Sequence, residues 1–295
     1  MPHLGTVAPA QRAPWRPTLA WVVTALLVVV LGATPDAASA STLQRAGALQ
    51  RDGIPALVSH RGASALAPEN TLAAIDAALR HGADFVEFDV QLTRDGVPVL
   101  MHDPTVDRTT NGLGRVSQLT AAQLAELDAG SWFSPEFAGE RVPTVFEAID
   151  AFGPAPAHAL IEFKREWTEA ELRPVIDALR EAHLLHRVVL LSFDLGTLEA
   201  LARMAPEFSR MLLTRTLDAT VVPRALALGV SAVGAKSALF AAFPAAIEEI
   251  RARGLGAAVY TLNAPEEWEV AVAQQLDLII TDDPAAFTAW AAARA

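Results

Sequence analysis

The chain has no cysteine, which excludes thiol catalysis, thiolate metal sites, lipid attachment through an N-terminal cysteine and a disulfide framework. Lysine is nearly absent as well. Of 23 basic residues only Lys164 and Lys236 are lysines, so each marks a place where a compact ammonium replaces the prevailing guanidinium. Tyrosine occurs once, as Tyr260. There is no G-x-G-x-x-G fingerprint, no Walker loop and no G-x-S-x-G elbow, so hydride and acyl transfer lack their usual marks. Positive charge is short overall. A formal net charge of -11 excludes a general affinity for nucleic acid or anionic membrane surfaces, and an anionic small molecule would need local positive charge.

Long hydrophobic runs are also lacking, with one exception at the N-terminus. Arg12 and Arg16, with no acid around them, precede the apolar stretch Thr18 to Ala33, and Ala38-Ser39-Ala40 follows as a cleavage site. That order reads as a secretory signal peptide over residues 1–40, which predicts a secreted or periplasmic protein. The apolar stretch of 16 residues is shorter than the roughly 20 of a spanning helix. Membrane attachment would therefore arise only through this segment, left uncleaved as an N-terminal anchor. Residues 41–295 suit one domain, and the chain's 52% hydrophobic content can fill its core.

From residue 56 onward, short β-rich runs alternate with amphipathic helical stretches. The runs fall at about 56–60, 84–90, 158–163, 188–193, 210–214, 230–235, 256–262 and 277–281. Helical patterns lie between them at 70–80, 169–182, 195–204, 244–253 and 265–275. Eight parallel strands in about 250 residues predict an α/β fold, a (β/α)8 TIM barrel. After the second strand, Asp95-Gly96 signals a tight turn, so Val97 to His102 is predicted to be a hairpin excursion outside the barrel count. The following stretch, about 103–143, is an insertion before the helix at 144–152. Placed on the C-terminal face, it would form a lid over the site with Trp132, Phe133 and Phe137 as its apolar contacts.

Residues two apart on a strand share a face, so Glu87 and Asp89 point the same way. Two carboxylates facing a barrel interior need positive charge between them. Glu162 ends the next barrel strand and completes a three-carboxylate cluster, with Lys164 at the same spacing. Oxygen ligands alone favour Ca²⁺ or Mg²⁺, and an ion-pair network with Lys164 is the alternative. His60 and His102 close the first strand and the hairpin, at the same rim. Two histidines can divide general acid and base work near neutral pH. Arg61 offers a planar fork for phosphate oxygens and Lys164 a point charge. This set suits cleavage of a phosphodiester. His81, His183 and His186 read as background, and His158 opens its strand at the opposite end of the barrel.

Nine motifs in order and spacing, HRG at 60–62, PENT at 68–71, VEFDVQLTRDGVPVLMHD at 86–103, RTTNGLGRV at 108–116, LDAGSWFSPEFAGERVPT at 127–144, IEFK at 161–164, SF at 192–193, YTLN at 260–263 and TDDP at 281–284, resemble the glycerophosphodiester phosphodiesterases, of the secreted bacterial type. The resemblance implies a TIM-barrel hydrolase that converts glycerophosphodiesters to glycerol 3-phosphate and an alcohol, with a place in lipid and glycerol metabolism. It implies His60 and His102 as the catalytic pair and Glu87, Asp89 and Glu162 as metal ligands. Arg61 and Lys164 match phosphate-binding residues, and Phe193, Tyr260 and Trp132 are expected to touch substrate. Tyr260 departs from the tryptophan common in the family, which bears on substrate choice. Glu69 and Asn70 are expected to cap the first helix and orient Arg61, and Lys236 to sit on the rim. The partner is a small-molecule diester, with no stable protein partner implied. Two rivals share the barrel: cleavage of lysophospholipids on the headgroup side, marked by an apolar groove under Trp132, Phe133 and Phe137, and a secreted glycerophosphodiester-binding protein without catalysis.

Overall fold

Runs such as Ala56–Ser59, Val188–Ser192 and Leu278–Thr281 are buried at every position, the pattern of strands covered on both faces. The computed structural model describes residues 53–153 and 155–294, and the signal-peptide reading of residues 1–40 lies outside them. Among the described residues nine strands form: β1 (Ala56–Ser59), β2 (Phe85–Leu92), β3 (Pro98–Leu100), β4 (His158–Phe163), β5 (Val188–Ser192), β6 (Ser209–Thr214), β7 (Ala232–Lys236), β8 (Gly256–Tyr260) and β9 (Leu278–Thr281). Eight of them pair in parallel in the order β1-β9-β8-β7-β6-β5-β4-β2. The pairing of β1 with β2 closes the ring into the (β/α)8 barrel. Strand β3 pairs antiparallel with β2 outside that ring, as the Asp-Gly turn predicts.

Side-chain alternation divides the strands between two cores. One residue in two faces the barrel axis, among them Val58, Phe85, Leu160, Leu191, Leu213, Ala258 and Ile280. Gly234 belongs to the same inner face, and a Cβ there would lie 2.7 Å from Leu213 Cδ2. The alternate residues, such as Leu57, Val86, Phe88 and Ile161, pack outward on the surrounding helices. Those helices start where side chains can satisfy free N–H groups. Thr144 and Thr168 form capping boxes with Glu147 and Glu171 at the heads of Val145–Phe152 and Glu169–Glu181. Among the described residues, no helix is long and apolar enough to cross a membrane.

The stretch 103–143 does not form the expected lid. Val106, Val116, Leu124, Ala129 and Val142 join Val99 and Met101 in a separate small core beside the barrel. Phe137 packs against the main barrel core, and Pro104 is the one residue of this stretch that lines the cavity at the barrel mouth.

Candidate active site

Alternation carried one step beyond the apolar layer builds the site. On β1, Val58 is followed inward by His60; on β2, Phe85 by Glu87 and Asp89; on β4, Leu160 by Glu162 and Lys164. The same step yields Phe193, Arg215, Lys236, Tyr260 and Asp282 at or just past the ends of β5 to β9. Most of these, with Arg61 and His102, line one cavity of about 1000 Å³ at the C-terminal mouth. The structure therefore brings together every expected site residue except Trp132. That side chain is 39% exposed, its indole N–H donates to Ala129 O, and its ring meets Phe133 edge-on. It is solvent-exposed and does not line the cavity.

The turn after β1 explains the His-Arg-Gly motif. Arg61 and Gly62 both adopt left-handed backbone, at φ 53° and 78°. The turn directs Arg61 N–H to Glu87 Oε2 at 2.8 Å and Gly62 N–H to Glu87 O at 2.9 Å. A Cβ on Gly62 would lie 2.5 Å from the backbone of Ala74, so only glycine lets the helix Leu72–Arg80 approach this closely. The cap of that helix is Thr71, whose hydroxyl accepts from Ala74 N–H, and not Glu69 or Asn70. Asn70 instead clamps Asp89: its amide donates to Asp89 Oδ2 at 2.8 Å while its carbonyl accepts from Asp89 N–H. Glu69 does orient Arg61, accepting from Nη1 at 2.8 Å.

Glu87, Asp89 and Glu162 are buried, with one oxygen of each within 4.8 Å of the others. Lys164 Nζ lies 2.7 Å from both Asp89 and Glu162, and Arg61 Nε lies 3.4 Å from Asp89. Burial opposes ionisation of Asp89, but Lys164 and Arg61 outweigh it and hold this carboxyl well below its usual range. Burial raises Glu162 to about 7, and the Asp89 charge adds to the rise. Glu87 is pushed well up by burial and then by Asp89 and Glu162, since the backbone N–H of Arg61 is its one hydrogen-bond donor. One ammonium and part of one guanidinium thus serve three carboxylates. Such an under-compensated, oxygen-only cluster fits a divalent cation.

This imbalance has a sign that can be measured. In cation-free protein Glu162 ionises at about 7, against an ordinary 4.5 in the unfolded chain, so folding takes up a proton between those values. The associated stability is complete below the lower value and lost as pH rises through the upper one, a fall of ~3 kcal/mol. Urea unfolding with a chelator at pH 5 and pH 8 should reveal the fall, and Glu162→Gln should reduce it, leaving the part that Glu87, also pushed up by burial, contributes. An equal pH dependence in the variant would contradict the assignment.

Each histidine is held by an aspartate. His60 Nδ1 lies 2.6 Å from Asp282 Oδ1, and Asp282 is fixed by Ser64 Oγ and by Asn263 Nδ2. His102 Nδ1 lies 2.7 Å from Asp103 Oδ1. Asp103 in turn accepts from Arg108 Nε, and Arg108 binds both oxygens of Glu69, which returns to Arg61. His60 and His102 are thereby fixed with their other ring nitrogens available. Burial holds the His102 pKa below its ordinary value, against the pull of Asp89. Hydrogen bonds draw both partners down to about 2, from Arg108 first for Asp103 and, against burial, from His60 for Asp282. Sequence reasoning missed Asp282, Asn263, Asp103 and Arg108 as site residues. Asp282 was findable, two residues past Ile280 on an inward face, whereas the link through Arg108 joins loops that only folding brings together. His158 sits at the far end of β4 against the Phe85 ring, as expected.

A (β/α)8 barrel whose mouth holds paired histidines, a carboxylate cluster, an arginine and a lysine is the framework of a phosphoric diester hydrolase. Comparison with known proteins narrows the class. The model of the glycerophosphoryl diester phosphodiesterase family matches residues 60–286, and the chain belongs to this family. A glycerophosphodiester phosphodiesterase of Caldanaerobacter subterraneus is 37% identical over 233 residues, covering 77% of this chain and 94% of its own. A probable glycerophosphodiester phosphodiesterase 1 of Mycobacterium tuberculosis is 34% identical, covering 81% and 93%. Among solved structures, the Agrobacterium tumefaciens glycerophosphodiester phosphodiesterase matches with a TM-score of 0.70 at 34% identity, covering 80% of this chain and 100% of that one. An Oleispira antarctica phosphodiesterase, solved with the product sn-glycerol-3-phosphate, matches at 0.73 and 29%, covering 81% and 97%.

Proposed function

We propose that the protein hydrolyses glycerophosphodiesters to glycerol 3-phosphate and an alcohol, with His60 and His102 as the acid–base pair. The observation that carries this reading is the pair of histidines, each bound to its own aspartate, on the same cavity as the carboxylate cluster and the cations Arg61 and Lys164. Arg61 and Lys164 hold the phosphate against the inward face of β1, β2 and β4. One histidine takes the proton of the nucleophile, which is water or the neighbouring glycerol hydroxyl, and the other protonates the leaving oxygen. Glu87, Asp89 and Glu162 would hold Ca²⁺ or Mg²⁺. The ion, when bound, would supply Lewis-acid stabilisation of negative charge on the phosphoryl oxygens. Glycerol 3-phosphate release by the full chain from soluble diesters, with and without a chelator, tests the reaction. Release supports it; tight binding of diesters with no product would restore the reading of a binding protein. The groove expected for lysophospholipids draws no support, because Trp132, Phe133 and Phe137 do not line the cavity.

Asp282 acts through His60 by fixing its ring and the nitrogen that carries the proton. Asp282→Asn is expected to lower kcat by about 10²-fold, the scale of a misplaced catalytic group, with KM nearly unchanged. Steady-state kinetics would check it, and an equal loss of binding would assign Asp282 to substrate instead. Residues 1–40 are proposed to be a signal peptide that exports the chain, supported by their order of charge, apolar run and small residues. N-terminal sequencing of the exported protein tests this.

A further inference from the structure

We infer that the wall of the cavity opposite His60 is a second anion subsite, and that the substrates are glycerophosphodiesters whose alcohol carries its own negative charge. This rests on the proposed diesterase reading and specifies its substrate class. Around the barrel, β6 stands four strands from β1 in either direction, so the inward residues just past β6 and at the end of β7 face the catalytic side across the mouth. Those residues are Arg215 and Lys236, and Arg165 follows the end of β4; all three line the cavity. Among the described residues, none of the three forms an ion pair with a carboxylate, unlike Arg61 and Lys164 on the catalytic side. Beside Glu87 and Glu162, the cavity is lined by one further carboxylate, Asp194, which is committed to Thr197 N–H and Oγ1 as a helix cap.

Arg215 is also held in place. Its guanidinium lies 4.0 Å from the Phe193 ring centroid, and Phe193 meets Tyr260 edge-on. That stacking lowers the ordering cost when the guanidinium receives an anion. It also occupies one ring face that a quaternary ammonium headgroup would use, since such groups are held by aromatic faces. In a chain of net charge -11, two of the three side chains are uncompensated cations that alternation turns inward, and both lysines of the sequence line this one cavity. The reacting phosphate is served by the opposite wall, so the charge left to match lies on the leaving alcohol. A neutral alcohol would leave these cations unpaired, and choline would be repelled by them.

The test is the initial rate of glycerol 3-phosphate release by the full chain from three diesters: glycerophosphocholine, glycerophosphoglycerol and deacylated cardiolipin. In the last, the leaving alcohol carries a second phosphodiester. The expected result is a kcat/KM for deacylated cardiolipin about tenfold above that for glycerophosphocholine. The double variant Arg215→Gln/Lys236→Gln should lose that preference while its turnover of glycerophosphocholine shows that it is folded. Equal wild-type rates on charged and neutral diesters, or an equal loss on all three in the variant, would overturn the subsite and leave the reaction standing. No turnover of any diester would overturn the reaction and the subsite with it.

Discussion

Alanine at His60 or at His102 is expected to lower kcat by about 10²–10⁴-fold, the usual contribution of a positioned acid or base. Substrate affinity should change little, because the proposed phosphate contacts, Arg61 and Lys164, stay in place. The two losses should differ in pH profile, since each variant keeps only the opposite limb of the acid–base pair. Losing either ring also leaves an aspartate without its partner: Asp282, fixed by Ser64 and Asn263, and Asp103, fixed by Arg108. Both aspartates keep donors from these neighbours, so the variants should fold. Retention of most activity by either one in a glycerol 3-phosphate assay would remove that histidine from the mechanism.

Chelation is expected to stop turnover, and Ca²⁺ or Mg²⁺ to restore it. Glu87→Gln is the cleanest ligand variant. Its carbonyl can still accept the Arg61 N–H that Glu87 accepts at 2.8 Å, so the turn after β1 is kept while a buried charge is lost. Without cation the variant should be at least as stable as the wild type, because one of three mutually repelling carboxylates is gone. With cation it should lose about 10²-fold in metal affinity and in activity at limiting metal. Thermal melting with and without Ca²⁺, beside the activity titration, separates these effects. Full activity in chelator, or an unchanged cation requirement in Glu87→Gln, would return the cluster to a structural ion-pair network around Lys164.

The same pair of measurements bears on why Asp89 and Glu162 differ. Asp89 is met by Lys164, Arg61 and the Asn70 amide, whereas Glu162 has Lys164 alone. Carboxylates on adjacent strands therefore titrate on opposite sides of their ordinary values. Glu162 and Glu87, both raised, are the groups through which pH and the proposed cation would compete.

Much of this was legible in the linear chain because two physical patterns are local. Apolar runs separated by amphipathic stretches identify parallel strands covered on both faces, and alternation says which residues point inward. His60, Glu87, Asp89, Glu162 and Lys164 could be placed on one face by spacing alone, and the Asp-Gly turn set β3 outside the ring. What could not be read this way was the side-chain partnership across loops. Asn70 is 19 residues from Asp89, Arg108 is 39 from Glu69, and Asp282 is 222 from His60. Hydrogen bonds of that separation depend on closure of the whole barrel, and no periodicity encodes them. Trp132 failed as a substrate contact for the same reason. An aromatic residue in an inserted segment is free to face the cavity or turn away from it, and in the folded chain Trp132 points away, bonded to Ala129 O and against the Phe133 edge. The sequence by itself thus determined the barrel, the inward face and the chemical types at its mouth, since periodicity and residue chemistry are properties of the chain. Tertiary structure alone decided which aspartate holds which histidine, which carboxylates lack compensation and which cations stand free across the cavity, because those depend on distances that exist only after the ring has closed.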